Sequence, residues 1–269
     1  MGKPSGNAAD RPGQAKVVFG GHMPVESAAQ QVPAQTGGWT GDEDYDAILS
    51  RIFDFLEEQG FDDDSDWRVT THAKGVNVQS RQVAAPVKLV RGQGFIRASP
   101  VEVLEMIRDA SKRPEWDSMC DYGSIVKTFS PNSDLIYLSY QGKLGVCARD
   151  LSLVRAWKQY EDGTVALVAH SVDDKDVPKV AGKVRAELRD CGYVIRPCGE
   201  GSMLSYVIQL DMKGYVPLFF TNLIQTQHPL IISIMRRMLE NSGVGDDDCD
   251  GASEMPLHQL EKATANVYG

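Results

Sequence analysis

The sequence holds little of what usually announces a specific chemistry. Its five cysteines, Cys120, Cys147, Cys191, Cys198 and Cys249, are odd in number and never spaced C-x-x-C, and no Asn-x-Ser/Thr sequon occurs. That excludes a disulfide framework and reads as reduced thiols in a cytoplasmic protein. Basic runs are lacking too: 28 Lys and Arg against 37 Asp and Glu leave a formal net charge of -9, so nucleic acid is not an expected partner. No G-x-S-x-G, H-E-x-x-H or G-x-x-x-x-G-K-[ST] is present. Gly92-Gln93-Gly94 lacks a third glycine and falls in a strand pattern, so it is no dinucleotide site. The histidines, His22, His72, His170, His228 and His258, are scattered, and neither a metal site nor a cofactor is expected.

Targeting signals are equally thin. The first thirty residues lack a signal-peptide core, and Gly6 stands where a myristoylation site wants Ser or Thr. Gly214 to Met235 carries no formal charge, but Thr221, Asn222, Gln225, Thr226, Gln227 and His228 sit in its middle, followed by Pro229. Burying so many amides and hydroxyls in lipid is unfavourable, and an amphipathic helix is the better reading.

What is present is an ordinary globular composition, 42% hydrophobic and 24% charged over 269 residues. Residues 1–41, rich in Gly, Pro, Ala and Gln, are expected to form a disordered arm. Residues 42–241 form the folded domain, and residues 242–269, with the run Asp246-Asp247-Asp248, an acidic flexible tail.

The domain opens on a helical pattern, Tyr45, Ile48, Leu49, Ile52, Phe53 and Leu56, closed by Gly60. Ser99-Pro100 starts a second helix, with the stripe Val103, Leu104, Ile107, and it ends before Pro114. Elsewhere the period is two. Strands are expected at 67–73, 76–84, 87–97, 122–129, 134–141, 149–160, 164–173, 183–188, 193–197 and 204–212, a long curved antiparallel sheet with one wet face. A last helix begins near Pro217, bends at His228-Pro229 and covers the open side of the sheet.

Four segments then carry a family likeness. Arg149-Asp150-Leu151-Ser152-Leu153-Val154-Arg155 resembles the R-D-[FLY]-x-x-x-R segment of START domains, the steroidogenic-acute-regulatory-related lipid transfer family. Arg113-Pro114-Glu115-Trp116-Asp117 is similar to its R-x-x-W-D. Lys183 to Glu187 with Gly192 to Pro197 resembles its K-x-x-R-x-E…G-x-x-[IL]-x-P hairpin, and Asp211 to Pro217 its D-x-K-G-x-[IVL]-P entry to the last helix. The likeness implies an α+β helix-grip fold, a sheet of about nine strands around a long C-terminal helix with an internal lipid tunnel. It implies a non-catalytic lipid carrier or sensor, one lipid per monomer, working at a transient membrane surface.

Site residues follow from alternation and from the resemblance together. Leu151, Leu153, Arg155 and Trp157 share one strand face, and a guanidinium turned into an apolar interior needs a carboxylate, water or an anionic ligand group. Sterol-binding members place an acid on the preceding strand facing that Arg. Residues 135 to 148 hold no acid, and Ser139 and Gln141 are the nearest polar groups. Arg155 is therefore expected to anchor a headgroup, which favours a phospholipid over a sterol. Leu153, Trp157, Tyr206, Ile208, Phe220, Leu223, Ile224 and Ile231 are expected to contact the lipid. Leu144 and Val146, exposed on a Gly-flanked loop, with Leu218 and Phe219, are expected at a membrane-facing gate, while Arg149, Asp150, Trp116 and Asp117 are expected to be structural. Two rivals stay open: a helix-grip enzyme with groups clustered around His170, Tyr140 or Asp173, and a lipid-gated protein-interaction module.

Overall fold

The computed structural model describes residues 38–61, 66–84, 87–143, 145–217, 221 and 228–241. Expectations for residues 1–37 and 242–269 lie outside it, as do those for Leu144, Leu218, Phe219, Phe220, Leu223 and Ile224.

Helix α1 (Glu43–Gln59) starts where Asp42 accepts the Asp44 and Tyr45 N–H groups, with Glu43, Asp44 and Asp46 at its positive end. It stops at Gly60 and buries Leu49, Ile52, Phe53 and Leu56. Three strands follow, β1 (Arg68–Ala73), β2 (Val76–Ala84) and β3 (Val87–Ile96). Helix α2 (Pro100–Arg108) opens on a full capping box between Ser99 and Glu102. It ends at Arg108, and a short 3-10 turn capped by Asp109 leads into α3 (Arg113–Trp116). Pro114 thus sits in the first turn of α3, a position proline tolerates.

The remaining strands are β4 (Cys120–Ser130), β5 (Ser133–Tyr140), β6 (Arg149–Gln159), β7 (Val165–Ser171), β8 (Val184–Arg185), β9 (Glu187–Cys198) and β10 (Gly201–Asp211). They form one sheet in the order β1-β2-β3-β10-β9-β7-β6-β5-β4, antiparallel throughout, with the two-residue β8 running parallel to β6. The expected strand over 183–188 is thus split: Ala186 leaves the ladder to donate to Asp150 O, and the rest belongs to a longer β9. Register shifts in the β4–β5 pair and at Ile208/Leu210 mark where the sheet bends. The described residues close with a 3-10 turn, His228–Leu230, and a C-terminal helix, Ile231–Asn241. The helix-grip architecture is present: a large antiparallel sheet, bent so that one face becomes an interior, with the terminal helix laid along it. Among the described residues no helix is long and apolar enough to cross a membrane.

Two cores result, one on each face of the sheet. The inner core joins Ile136, Leu138, Leu153, Trp157, Tyr193 and Tyr206 to α2 and the C-terminal helix. The outer core seats α1 on Val154, Ala156, Val168 and Val194. Gly192 permits that seating, since a Cβ there would lie 2.2 Å from Leu56 Cδ1. Trp39 belongs to the outer core as well. It stacks on Phe53 with ring centroids 4.8 Å apart, and its carbonyl accepts the Ser133 hydroxyl. The expected arm over 1–41 is therefore too long: a buried indole claims the chain from at least Gly38.

Candidate functional site

Alternation on β5, β6, β7, β9 and β10 turns a set of apolar side chains into one interior space. Its walls include Ile136, Leu138, Leu153, Leu167, Ala169 and Ile208, and it encloses about 880 Å³ of space, part of it open to solvent. A smaller pocket shares Ile208, Leu210, Met212 and His228 with it and reaches Thr221 and Pro229, beside the start of the C-terminal segment.

Arg155 is on this wall but is not unpaired. The β5–β6 register sets Asp134 directly opposite it, and the two form a fork: Nε to Oδ1 at 2.8 Å and Nη2 to Oδ2 at 2.6 Å. Its other bonds run to the carbonyls of Ile107 (3.2 Å) and Arg108 (2.8 Å) at the end of α2. Both side chains are under 5% exposed. The expectation of an arginine left for a phosphate is corrected: its carboxylate, Asp134, lies one residue before the acid-free stretch 135–148, on the preceding strand.

A second cation faces the same space. Arg113 on α3 donates from Nε to Asp117 (3.0 Å) and from Nη1 to the Tyr193 hydroxyl (3.3 Å). Its Nη2 has no bond to the described residues, and the side chain keeps 11% exposure on the cavity wall. Asp117 also lies 3.6 Å from His228 Nε2, and His228 Nδ1 lies 3.3 Å from the Tyr206 hydroxyl. Tyr206 stacks on Tyr193, centroids 4.4 Å apart. Burial raises the Asp117 carboxyl, yet Arg113 and His228 outweigh it and hold the group well below the usual carboxylate range. Burial pushes the phenols of Tyr140, Tyr193 and Tyr206 up, so they stay protonated donors, and lifts the Cys191 thiol to about 12. Asp117 and Trp116 are two of the residues expected to be structural, and Arg113 is not among the expected site residues. Trp116 is fully buried with the Arg113 guanidinium 4.2 Å from its ring.

Other expected residues are distributed as follows. Leu153, Gln141, Tyr206 and Ile208 line the cavity. Trp157 and Ile231 are buried in the inner core but do not line it. Ser139 points to the outer face, accepting from Lys183 and donating to Asp121 (2.5 Å), which removes it from the lining. Val146 is buried, not exposed: it packs with Met119, Leu210, Met212 and Val216 at one end of the cavity. Asp150 holds Arg185 in a fork at 2.9 and 3.2 Å. Arg149 donates to the carbonyls of Cys147, Met212, Lys213 and Tyr215. The cluster imagined for an enzyme does not assemble, since Tyr140 faces inward whereas His170 points to the outer face and bonds Arg189 O. Among the described residues no group of three or more His, Cys, Asp or Glu could hold a metal.

A bent sheet enclosing an apolar interior, with isolated polar groups and a terminal helix along its open side, defines a carrier fold for a hydrophobic ligand. The chain belongs to the START domain family, whose model matches residues 64–244. It is 29% identical over 171 residues to StAR-related lipid transfer protein 5 of Bos taurus, covering 58% of this chain and 76% of that protein. To StAR-related lipid transfer protein 13 of Homo sapiens it is 24% identical over 181 residues, 66% of this chain but only 16% of the relative. Among solved structures, human StAR-related lipid transfer protein 5 superposes with a TM-score of 0.64 at 21% identity, covering 74% of this chain and 98% of that one. Human STARD10 gives the same TM-score and identity over 71% and 79%. START domains bind lipids and sterols and transfer them.

Proposed function

We propose that this chain binds one lipid per monomer in the inner cavity and moves it between membranes from the cytoplasm, with no covalent step. The apolar cavity closed by two internally neutralised ion pairs, Arg155–Asp134 and Arg113–Asp117, carries this reading. Opening either pair to admit a phosphate would strand a buried carboxylate, which costs several kcal/mol. A neutral lipid with one hydroxyl needs no such sacrifice. Arg155 Nη1 retains one N–H beyond its bond to Ile107 O, enough for a hydroxyl oxygen. Removal of apolar surface from water, at about 25 cal/mol per Å², drives uptake and makes release slow unless a membrane assists. The preference therefore moves from a phospholipid to a lipid of the sterol class.

One observation favours the phospholipid instead: Arg113 lines the cavity, its Nη2 has two donors with no bond to the described residues, and protonated phenols line the same space. Native mass spectrometry after incubation with mixed liposomes separates the two. A one-to-one sterol adduct supports the first reading. A phospholipid adduct lost in Arg113→Leu but kept in a stably folded Arg155→Leu/Asp134→Leu variant supports the second. No adduct of any kind contradicts both.

A further inference from the structure

Among the described residues only two non-glycine positions have positive φ, Lys74 (52°) and Lys213 (48°), and each is followed by a left-handed glycine, Gly75 (66°) and Gly214 (64°). Lysine resists that conformation, so something must hold it there. Both turns are held alike, by a guanidinium gathering their carbonyls. Arg236 of the C-terminal helix donates to Lys74 O (2.9 Å), Gly75 O (3.0 Å) and Phe95 O (2.6 Å). Arg149 donates to Lys213 O (3.2 Å), Tyr215 O (3.3 Å), Met212 O (3.4 Å) and Cys147 O. No carboxylate of the described residues lies within ion-pair distance of either. One arginine thus fastens the residues just after β10, and the other fastens the C-terminal helix to the β1–β2 turn and the end of β3.

The front clamp differs in place. Arg149 is on the cavity wall, whereas Arg236 is not. It ties two lips together, Cys147 on the 141–148 loop and residues 212–215, and the latter run on to Pro217, whose carbonyl accepts from Thr221 N. Over it lie exposed Lys213 and Gly214 and Tyr215, which is 84% exposed. Backbone carbonyls supply only partial charge to a buried cation, and desolvation disfavours its charged form. A phosphate oxygen is the stronger acceptor for a guanidinium fork.

We propose that Arg149 is a binding site for the phosphate of an anionic bilayer lipid. Its occupation releases residues 212–217 from Cys147, while Arg236 keeps the C-terminal helix bonded to Lys74, Gly75 and Phe95. The idea rests on the carrier reading and adds to it the signal that opens the cavity. Hydrogen exchange of the full chain tests it with vesicles of phosphatidylcholine alone, vesicles containing phosphatidylglycerol, and inorganic phosphate. Amides of 145–148 and 212–216 are expected to exchange about tenfold faster with the phosphatidylglycerol vesicles only. Arg149→Gln should exchange fast in all three conditions and lose the phosphatidylglycerol response.

Equal exchange of the wild type in all three conditions overturns the proposal. So does an equal acceleration by inorganic phosphate, or a phosphatidylglycerol response that survives Arg149→Gln. The wild-type arms stand alone if that variant fails to fold. Native mass spectrometry of the same samples separates the two ideas: bound lipid without a phosphatidylglycerol response contradicts the clamp alone, and no bound lipid contradicts the carrier.

Discussion

Arg155 and Arg149 lie six residues apart on β6, both buried and both on the cavity wall, yet they are neutralised in opposite ways. Arg155 is gripped by a carboxylate fork and two helix-end carbonyls. Arg149 has carbonyls only, all from the two lips beside the end of β10. The full counter-charge sits with the arginine paired across the β5–β6 ladder, while the one at the lips is met by backbone dipoles alone. A locked ion pair builds the wall, and a carbonyl clamp can be exchanged for a better acceptor.

The largest way to break that contrast is Asp134→Ala, which strands Arg155 and should destabilise the fold by about 3–5 kcal/mol in urea unfolding. Replacing the whole pair, Asp134→Leu with Arg155→Met, should recover most of that loss. Asp117→Asn should cost less, about 2–3 kcal/mol, because Arg113 keeps some exposure on the cavity wall. Its pH dependence has a definite sign. The Asp117 carboxyl is depressed in the folded chain, so its stabilisation is complete above the unfolded value of about 4 and is lost as pH falls below it. The gap between wild type and Asp117→Asn should therefore be full near about pH 6 and shrink toward about pH 2.

Arg149→Gln should cost only about 1–2 kcal/mol, since carbonyls freed beside exposed residues find water. At the small end, Arg51→Ala removes a 2.8 Å pair with Asp190 in which the arginine is 55% exposed, and thermal unfolding should register no more than about 0.5 kcal/mol.

Much of this was legible in the sequence. Helix α1, the Ser99-Pro100 start of α2 and most strands announce themselves by period and caps, and the inward direction of Arg155 follows from alternation on β6. Its partner does not follow, because the pairing of Asp134 with Arg155 is set by inter-strand register, which no local pattern encodes. Ser139 was misplaced for a related reason. Strand β5 is buried on both faces, with Leu135 and Tyr137 packing outward on Val177 while Ile136 and Leu138 pack inward, so no polar face marks the exterior. Val146 looked exposed beside two glycines, but its partners Leu210, Met212 and Val216 come from a segment some seventy residues away in sequence. Arg113 was passed over because R-x-x-W-D reads as a helix-seating motif, and only the packing of α3 under the sheet turns that side chain to the cavity.

The most direct test of a lipid in the cavity is native mass spectrometry of the wild type beside Ala169→Phe after the same liposome incubation. Ala169 lines the cavity opposite Arg155 in the β6–β7 register, so a phenyl ring there takes up ligand space. The account predicts one lipid per wild-type monomer and loss of that adduct in a folded Ala169→Phe. An adduct of undiminished occupancy in the variant would contradict it.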